Sequence, residues 1–182
     1  MTGLLVTGIW FLNRGTALVT MPALWLAVLS GVFVRTGRPV VLHDLSNEFH
    51  TRIAVFALVI TAMHATIGTV DALLLGVGLA PAPGYPGWFF VAGLVLGVLA
   101  LAAIVVATLS FLAPWRFRNP SLVHALAYVG FAFGVVHAIA IGTDIVGFAE
   151  GLLQLGLFIV AAALLLKLFV GLGAGIRQVV SS

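Results

Sequence analysis

Four histidines lie inside two long apolar runs of this sequence, where an ionisable side chain is costly and therefore points to function. The first run, FHTRIAVFALVITAMHA (49–65), holds His50 and His64, fourteen residues apart. The second, LVHALAYVGFAFGVVHA (122–138), holds His124 and His137, thirteen residues apart. If both runs are helices that point the same way, the earlier histidine of each run shares one level and the later histidine shares another. A helix rises about 1.5 Å per residue, so the two levels are about 20 Å apart.

Two neutral imidazoles on opposite faces of one porphyrin are the axial ligands of a six-coordinate haem b. The porphyrin is flat and apolar, and helical bundles hold such cofactors between facing helices. A lone histidine in a membrane helix is more often a hydrogen-bonded polar group or part of a proton path, so the prediction depends on the matched pairs. It assigns haem b to His50 with His124 and to His64 with His137, with two haems expected and one as the alternative.

The spacing of thirteen residues has a structural consequence. At about 100° per residue, fourteen residues return to within about 40° of the same helix face, whereas thirteen leave two side chains about 140° apart. Either the helix that holds His124 and His137 is distorted, or the two haems sit on different sides of it. Three glycines near the histidines either let a porphyrin approach closely or pack one helix on another: Gly68, Gly130 and Gly134.

Arginines are the candidate partners of the haem propionates, which need cationic or hydrogen-bonding groups. Arg52, Arg116 and Arg118 lie near the level of His50 and His124 in the sequence, and Arg14 is the cation nearest the other level. The alternative is that these arginines only set topology and anchor the chain to lipid headgroups. His43 has no partner and is expected to be a solvated loop residue.

The elements that would position these residues are five apolar runs, each long enough for the roughly 20 residues that a membrane-spanning helix needs. They cover residues 16–34, 49–70, 88–112, 121–142 and 148–172. Residues 3–12 are too short to span, so they either extend the first helix or lie at the interface. Asn119 is expected to cap the fourth helix, with Pro120 at its first position. The prediction is an all-α integral membrane bundle of about five transmembrane helices, in which residues 1–182 form a single domain.

Topology follows from the basic residues in the loops. If the loops 35–47 and 113–120 and the C-terminus face the cytoplasm, seven basic residues lie inside and one outside, which satisfies the positive-inside rule. The inside residues are Arg35, Arg38, Arg52, Arg116, Arg118, Lys167 and Arg177, and the outside residue is Arg14. The N-terminus is then outside, and the second and fourth helices are parallel. We expect a multi-pass protein of the cell membrane.

Composition excludes several classes of function. The 182 residues are 63% hydrophobic and only 7% charged, whereas soluble domains carry about 25% charged residues. With no cysteine, disulfides, iron–sulfur clusters, thiolate zinc sites and thiol catalysis are excluded. The small basic excess sits in short loops, so membrane lipid is an expected partner and nucleic acid is not.

The paired histidines resemble the ferric reductase-like transmembrane domain superfamily, which includes NADPH oxidases, ferric-chelate reductases and the haem subunit of the bacterial methionine-sulfoxide reductase system. WRFRNPSLVHALAYVGFAFGVVHAIAIGTD (115–144) is most similar to the small stand-alone prokaryotic members, in which Trp-Arg, His, Leu-Ala-Tyr, a second His and Gly-Thr-Asp occur in this order. IWFLNRG (9–15) also resembles their opening stretch. The resemblance covers about residues 9–172.

The resemblance implies that the four paired histidines are haem b ligands, and Arg14 and Arg116 match positions where the family tends to be basic. In one departure, TRIA follows His50, whereas the family commonly has Arg directly after that histidine. In another, the sequence has no Gly-x-Gly-x-x-Gly at a strand–helix turn, and GLGAG (171–175) ends a membrane helix. Electrons are therefore expected from quinol or from a separate flavoprotein reductase.

The expected function is electron transfer across the bilayer, from a donor on the cytoplasmic side to an extracytoplasmic acceptor such as ferric iron, oxygen or an enzyme. The chain would be the membrane electron-transfer component of an oxidoreductase, and no catalytic residue is assigned. One alternative is a quinone-coupled cytochrome b subunit of a larger complex. Another is a haem-free transporter or assembly factor whose histidines carry protons or metal.

Overall fold

The computed structural model describes residues 2–34, 40–80 and 86–142 together with Gly156, and it describes side chains over residues 3–32, 47–80 and 86–142. Its elements are α1 (Thr2–Val34), α2 (Val40–Gly76), α3 (Gly87–Leu112), a 3-10 turn (Pro114–Arg116), α4 (Pro120–His124) and α5 (Leu126–Ile141). The described residues contain no strand, which confirms the all-α prediction.

The ends of the first two helices differ from the predicted limits. Residues 3–12 extend α1, which was one of the two predicted positions. The predicted loop 35–47 is wrong, because α2 already begins at Val40, and α2 also runs past the predicted end at residue 70 to Gly76. Polar side chains end an apolar run but do not end a helix, and no glycine or proline interrupts residues 40–67. The third helix agrees with its prediction to within one residue.

The fourth predicted helix, residues 121–142, is confirmed as one apolar helical stretch over 120–141, but it is divided at Ala125 into α4 and α5. Its start was predicted correctly: Pro120 begins α4, and the Asn119 side chain accepts a hydrogen bond from the backbone amide of Leu122 at 3.2 Å. This cap occupies one of the amides that have no partner inside the helix.

Four helical stretches are long and apolar enough to cross a membrane: 3–32, 47–76, 87–112, and α4 with α5 over 120–141. The fifth predicted span, 148–172, lies outside the described residues except for Gly156. Gly156 is buried against the indole of Trp25 on α1, where an added Cβ would lie 3.5 Å from Nε1.

The described helices form two antiparallel hairpins. α1 packs along α2, and α3 packs along α4 and α5, while contacts of α1 with α5 and of α2 with α3 join the two hairpins. Among the described residues, α2 and α5 share no extended contact. The two helices that carry the paired histidines therefore lie on a diagonal of the bundle, and each is supported by a neighbouring helix.

Small and medium apolar residues from all four long helices form the core, which is centred between the two levels of histidines. Ala57 and Phe131, which are 1% and 3% exposed, lie about halfway between the histidines of their own helices. Leu24, Val28 and Ile104 pack around them. The exterior is also apolar: the side chain of Val98, for example, is 66% exposed and that of Leu73 is 64% exposed.

Candidate cofactor-binding histidine pairs

Four imidazoles meet in two pairs across the diagonal of the bundle. The ring centroids of His50 and His124 are 6.3 Å apart, with the ring planes at 88°. Those of His64 and His137 are also 6.3 Å apart, with the planes at 70°. All four side chains are half-buried. We call His50 and His124 the inner pair and His64 and His137 the outer pair, after the predicted cytoplasmic and exterior levels.

The straight helix α2 brings its two histidines to one face, because fourteen residues make nearly four full turns. Ala57 and Thr61 lie between them and are buried, so this face of α2 packs into the bundle along its length. The Thr61 hydroxyl donates to the Ala57 carbonyl, which satisfies it within the helix.

The segment that carries the other two histidines is distorted directly after His124. The amide of Ala125 donates to the carbonyls of Ser121 and Leu122 at 3.3 and 3.1 Å, and the amide of Tyr128 donates to the Ala125 carbonyl at 3.1 Å. The bonds to the Leu122 and Ala125 carbonyls span three residues and tighten the turn toward about 120° per residue instead of about 100°, whereas the bond to Ser121 spans the usual four residues. The extra rotation reduces the angular offset that a spacing of thirteen residues imposes, which corresponds to the distorted-helix alternative.

Each of the four imidazoles is held from behind by a backbone carbonyl of the supporting helix. On α2, His50 Nδ1 lies 3.1 Å from the carbonyl oxygen of Ala27 and His64 Nδ1 lies 3.2 Å from that of Asn13. In the other hairpin, His124 Nδ1 lies 2.9 Å from the carbonyl oxygen of Ala107, and His137 Nδ1 lies 2.7 Å from that of Gly93. A carbonyl can only accept, so Nδ1 carries the proton in all four rings.

The same bonds fix the tautomer and leave each Nε2 with its lone pair. None of the four Nε2 atoms has a hydrogen-bond partner among the described residues. Histidines that bind metals almost always donate their other ring N–H to a carbonyl, carboxylate or water. The four imidazoles are therefore arranged as metal ligands usually are.

Three hydroxyls belong to this arrangement, and sequence reasoning missed them. Each sits three residues after a supporting carbonyl and donates to it: Ser30 to Ala27 at 2.9 Å, Ser110 to Ala107 at 2.7 Å, and Thr16 to Asn13 at 2.9 Å. The Thr16 hydroxyl shares its hydrogen with the Leu12 carbonyl at 2.8 Å. The Ser30 hydroxyl oxygen also lies 3.0 Å from Nδ1 of His50, and the Thr16 hydroxyl oxygen lies 3.4 Å from Nδ1 of His64. We name Ser30, Ser110 and Thr16 the hydroxyl set.

Two glycines on the supporting helices make room for imidazoles. A Cβ at Gly31 would lie 3.0 Å from Cε1 of His50, and a Cβ at Gly97 would lie 2.8 Å from Nδ1 of His137. Each glycine follows a supporting carbonyl by one helical turn, so the ring can reach that oxygen. Sequence reasoning did not single out either residue.

The three glycines that sequence reasoning did single out lie in helix contacts. A Cβ at Gly130 would meet the Ala100 carbonyl oxygen at 2.9 Å, so α5 packs directly on α3 there. Gly134 faces the Ala100 side chain at 4.0 Å, and Gly68 faces the Asn13 amide of α1. Of the two predicted roles, helix packing describes these contacts.

The predicted arginines lie near the expected levels. Arg14 follows Asn13, which supports the outer pair, and its guanidinium stacks on Trp10 with Cζ 3.5 Å from the ring centre. Arg52 follows His50 by two residues and forms an exposed ion pair with Glu48 one turn away. Arg116 ends the 3-10 turn and is exposed.

The outer level also has an interhelical clamp. The Asn13 side-chain amide donates to the carboxylate of Asp71 at 2.8 Å, which joins α1 to α2 about two turns beyond His64. Within the described ranges, no group of three or more His, Asp or Glu side chains lies close enough to hold one metal ion. Each level therefore offers two protein nitrogens and no further ligand from these residues.

A protein-family model matches residues 8–144 of the chain, and its description is a domain of unknown function, DUF8596. The chain belongs to the DUF8596 family. No curated protein matches the sequence. The DUF8596 region includes both histidine pairs, their four supporting carbonyls and the hydroxyl set, so the whole arrangement lies inside one family domain.

Proposed function

We propose that this DUF8596 protein is an integral membrane cytochrome b that carries electrons across the bilayer, as the ferric reductase-like membrane domains it resembles do. The observation that carries the proposal is the pair geometry: two imidazole pairs, each ring anchored through Nδ1 to a carbonyl and each with an Nε2 that no described residue hydrogen-bonds. A scaffold that only needed to bury histidines would have no reason to anchor four of them in the same way.

The pair distance fits a shared metal. A metal–nitrogen bond of about 2.0 Å, with the ring centre about 1.1 Å behind the nitrogen, separates the centroids of two opposed imidazoles by about 6.2 Å. Both pairs have 6.3 Å. A porphyrin supplies four nitrogens, so two protein ligands complete a six-coordinate iron. Each level also lies between α2 and the α4–α5 segment, the diagonal across which no extended helix contact is described.

The membrane setting is supported by the outer surface. The described helices expose large apolar side chains on faces that would be unfavourable in water, and a helix that is apolar all round belongs in a protein interior or a membrane. We propose five spans, the fifth being residues 148–172, with the N-terminus outside and the C-terminus in the cytoplasm as the basic residues indicate.

The residues of the chain would perform three tasks. The supporting carbonyls hold the imidazoles in one tautomer and one orientation. The apolar core around Phe131 excludes water between the two levels, which are about 20 Å apart. Arg116 near the inner level and Arg14 near the outer level are candidates to neutralise propionates, whereas Arg52 is engaged with Glu48. When bound, haem b would supply reversible one-electron uptake and release.

The direction of transfer follows from the proposed topology. A separate flavoprotein reductase or quinol would deliver electrons at the inner pair on the cytoplasmic side. They would leave from the outer pair to an extracytoplasmic acceptor. The protein would thus be the membrane component of an oxidoreductase and would determine ligation, spacing and environment, while the redox chemistry belongs to the cofactor.

The test is the haem content of the purified protein by pyridine haemochrome, repeated for one variant of each pair. We expect two haem b per chain, falling to one in His124→Ala and to one in His137→Ala, and to none when both are changed. His43→Ala, which removes the fifth histidine, is the matched control and should retain two. Protein without a Soret band would refute the proposal and favour the haem-free transporter or assembly factor.

A further inference from the structure

We propose that the hydroxyl set, Ser30, Ser110 and Thr16, consists of positioning residues, each of which fixes the orientation and the basicity of one paired imidazole. The inference deepens the proposed function and rests on it, because basicity matters only if the imidazoles bind a metal. It concerns residues that touch no cofactor and act only through the histidines and their supporting carbonyls.

The first step of the argument is the local hydrogen bond. A serine or threonine that donates back to a carbonyl of the preceding turn bends the helix and tilts that carbonyl outward. Here the carbonyls concerned are those that face an imidazole on the neighbouring helix. In each case the hydroxyl and the imidazole contact the same carbonyl oxygen, so the hydroxyl can influence how that oxygen meets the ring.

The second step is a direct contact at two of the three sites. The Ser30 oxygen lies 3.0 Å from Nδ1 of His50, as close as the Ala27 oxygen at 3.1 Å, so the ring N–H is shared between two acceptors. Thr16 repeats this with His64 at 3.4 and 3.2 Å. Ser110, which is fully buried, acts through the carbonyl alone.

The third step is the chemical consequence. A stronger hydrogen bond from Nδ1–H makes the imidazole a better electron donor through Nε2, which raises ligand basicity and favours the oxidised metal. Removing a hydroxyl would weaken that hydrogen bond and raise the reduction potential. Both inner imidazoles have a hydroxyl behind them, whereas only His64 does in the outer pair, because Leu96 occupies the corresponding position after Gly93. The set therefore acts more strongly on the inner haem.

The chain contains matched controls in the same helices. Thr20 on α1 donates to the Thr16 carbonyl at 2.8 Å, and Thr108 on α3 donates to the Ile104 carbonyl at 2.8 Å. Both donate to a carbonyl four residues earlier, one residue further back than in the hydroxyl set, and neither recipient carbonyl is one that holds a histidine. Thr16→Val and Thr20→Val remove a hydroxyl at nearly constant shape, which limits effects on folding.

The experiment is a redox titration of the haem absorbance, with haem content as the check on folding. Ser30→Ala and Ser110→Ala are measured in a His137→Ala background, where only the inner haem is expected. Thr16→Val is measured in a His124→Ala background, where only the outer haem is expected. Thr20→Val and Thr108→Val accompany them, and the hydroxyl-retaining Ser30→Thr and Thr16→Ser test rescue.

We expect the midpoint potential to rise in the three variants of the hydroxyl set and to stay unchanged in the two threonine controls. In Ser30→Thr and Thr16→Ser, which keep a hydroxyl, the midpoint potential should lie closer to the parent value than in the variants without it. Potentials that fall, that do not move, or that move equally in the controls would overturn the inference and leave the proposed function intact. A parent chain without haem would overturn both. A variant that loses haem while its rescue variant retains haem and the parent potential supports positioning; loss in both overturns it.

Discussion

Gly97→Ala is the most direct perturbation of the outer pair. The new Cβ would lie 2.8 Å from Nδ1 and 2.9 Å from Cε1 of His137, so the ring must move away from the Gly93 oxygen that it now meets at 2.7 Å. Overpacking of this kind costs about 1–3 kcal/mol, and the lost hydrogen bond adds about 0.5–1.5 kcal/mol. Since about 1.4 kcal/mol is tenfold, the outer haem should bind roughly 10- to 1,000-fold more weakly.

The helix itself should not suffer, because alanine is favoured over glycine inside a helix by about 1 kcal/mol. The assay is a haem titration of stripped protein followed by the Soret band, with helix content measured by circular dichroism. Gly134→Ala is the matched control, since its Cβ would lie at an ordinary 4.0 Å from Ala100. Two haems bound with unchanged affinity in Gly97→Ala would refute the reasoning that His137 is a ligand held by this carbonyl.

Three further predictions follow from the same geometry. The ring planes of the two pairs meet at 88° and 70°. Imidazoles crossed in this way would leave two iron d orbitals close in energy, so electron paramagnetic resonance of the oxidised protein should show highly anisotropic low-spin haem. A spectrum typical of parallel imidazoles would contradict the ring orientations. Asn119→Ala removes the cap of α4, which should cost about 1 kcal/mol of unfolding free energy and weaken haem retention at the inner pair, as thermal melts of bound haem would measure; equal loss at both pairs would argue against it. Arg52→Gln breaks an exposed ion pair worth about 0–1 kcal/mol and should leave haem content unchanged, and loss of the inner haem would instead make Arg52 a propionate ligand.

Hydropathy predicted the helical class and the apolar spans, because a run of twenty apolar residues has few alternatives to a helix. It did not predict where helices end. α2 begins at Val40 rather than near residue 49, since polar side chains do not by themselves end a helix. The spacing of thirteen residues allowed a distorted helix, but the position of the break at Ala125 was not predicted, because ALAY contains no residue that disfavours a helix.

The candidate histidines could be selected from sequence because depth along two parallel helices depends only on residue number. Their supports could not, because a serine three residues after an alanine is an ordinary helical pattern, and Thr20 and Thr108 also bond to local carbonyls, but to ones that hold no histidine. Only the packing of α1 on α2 assigns Ser30 to His50. A periodic clue existed: Thr16 and Ser30 are fourteen residues apart, the same spacing as the histidines of α2.

The two hairpins differ in how the spacing of their histidines matches the spacing of the supporting carbonyls. The supporting carbonyls, Asn13 and Ala27 on α1 and Gly93 and Ala107 on α3, are fourteen residues apart in both, which is about 21 Å of helix. On α2 the histidines match this with fourteen residues, but His124 and His137 are only thirteen residues apart, a rise of about 19.5 Å. A tight turn rises about 2.0 Å per residue instead of about 1.5 Å, so the two three-residue bonds beside Ala125 lengthen this segment toward the same span. The distortion therefore brings both histidines closer to the levels of their carbonyls.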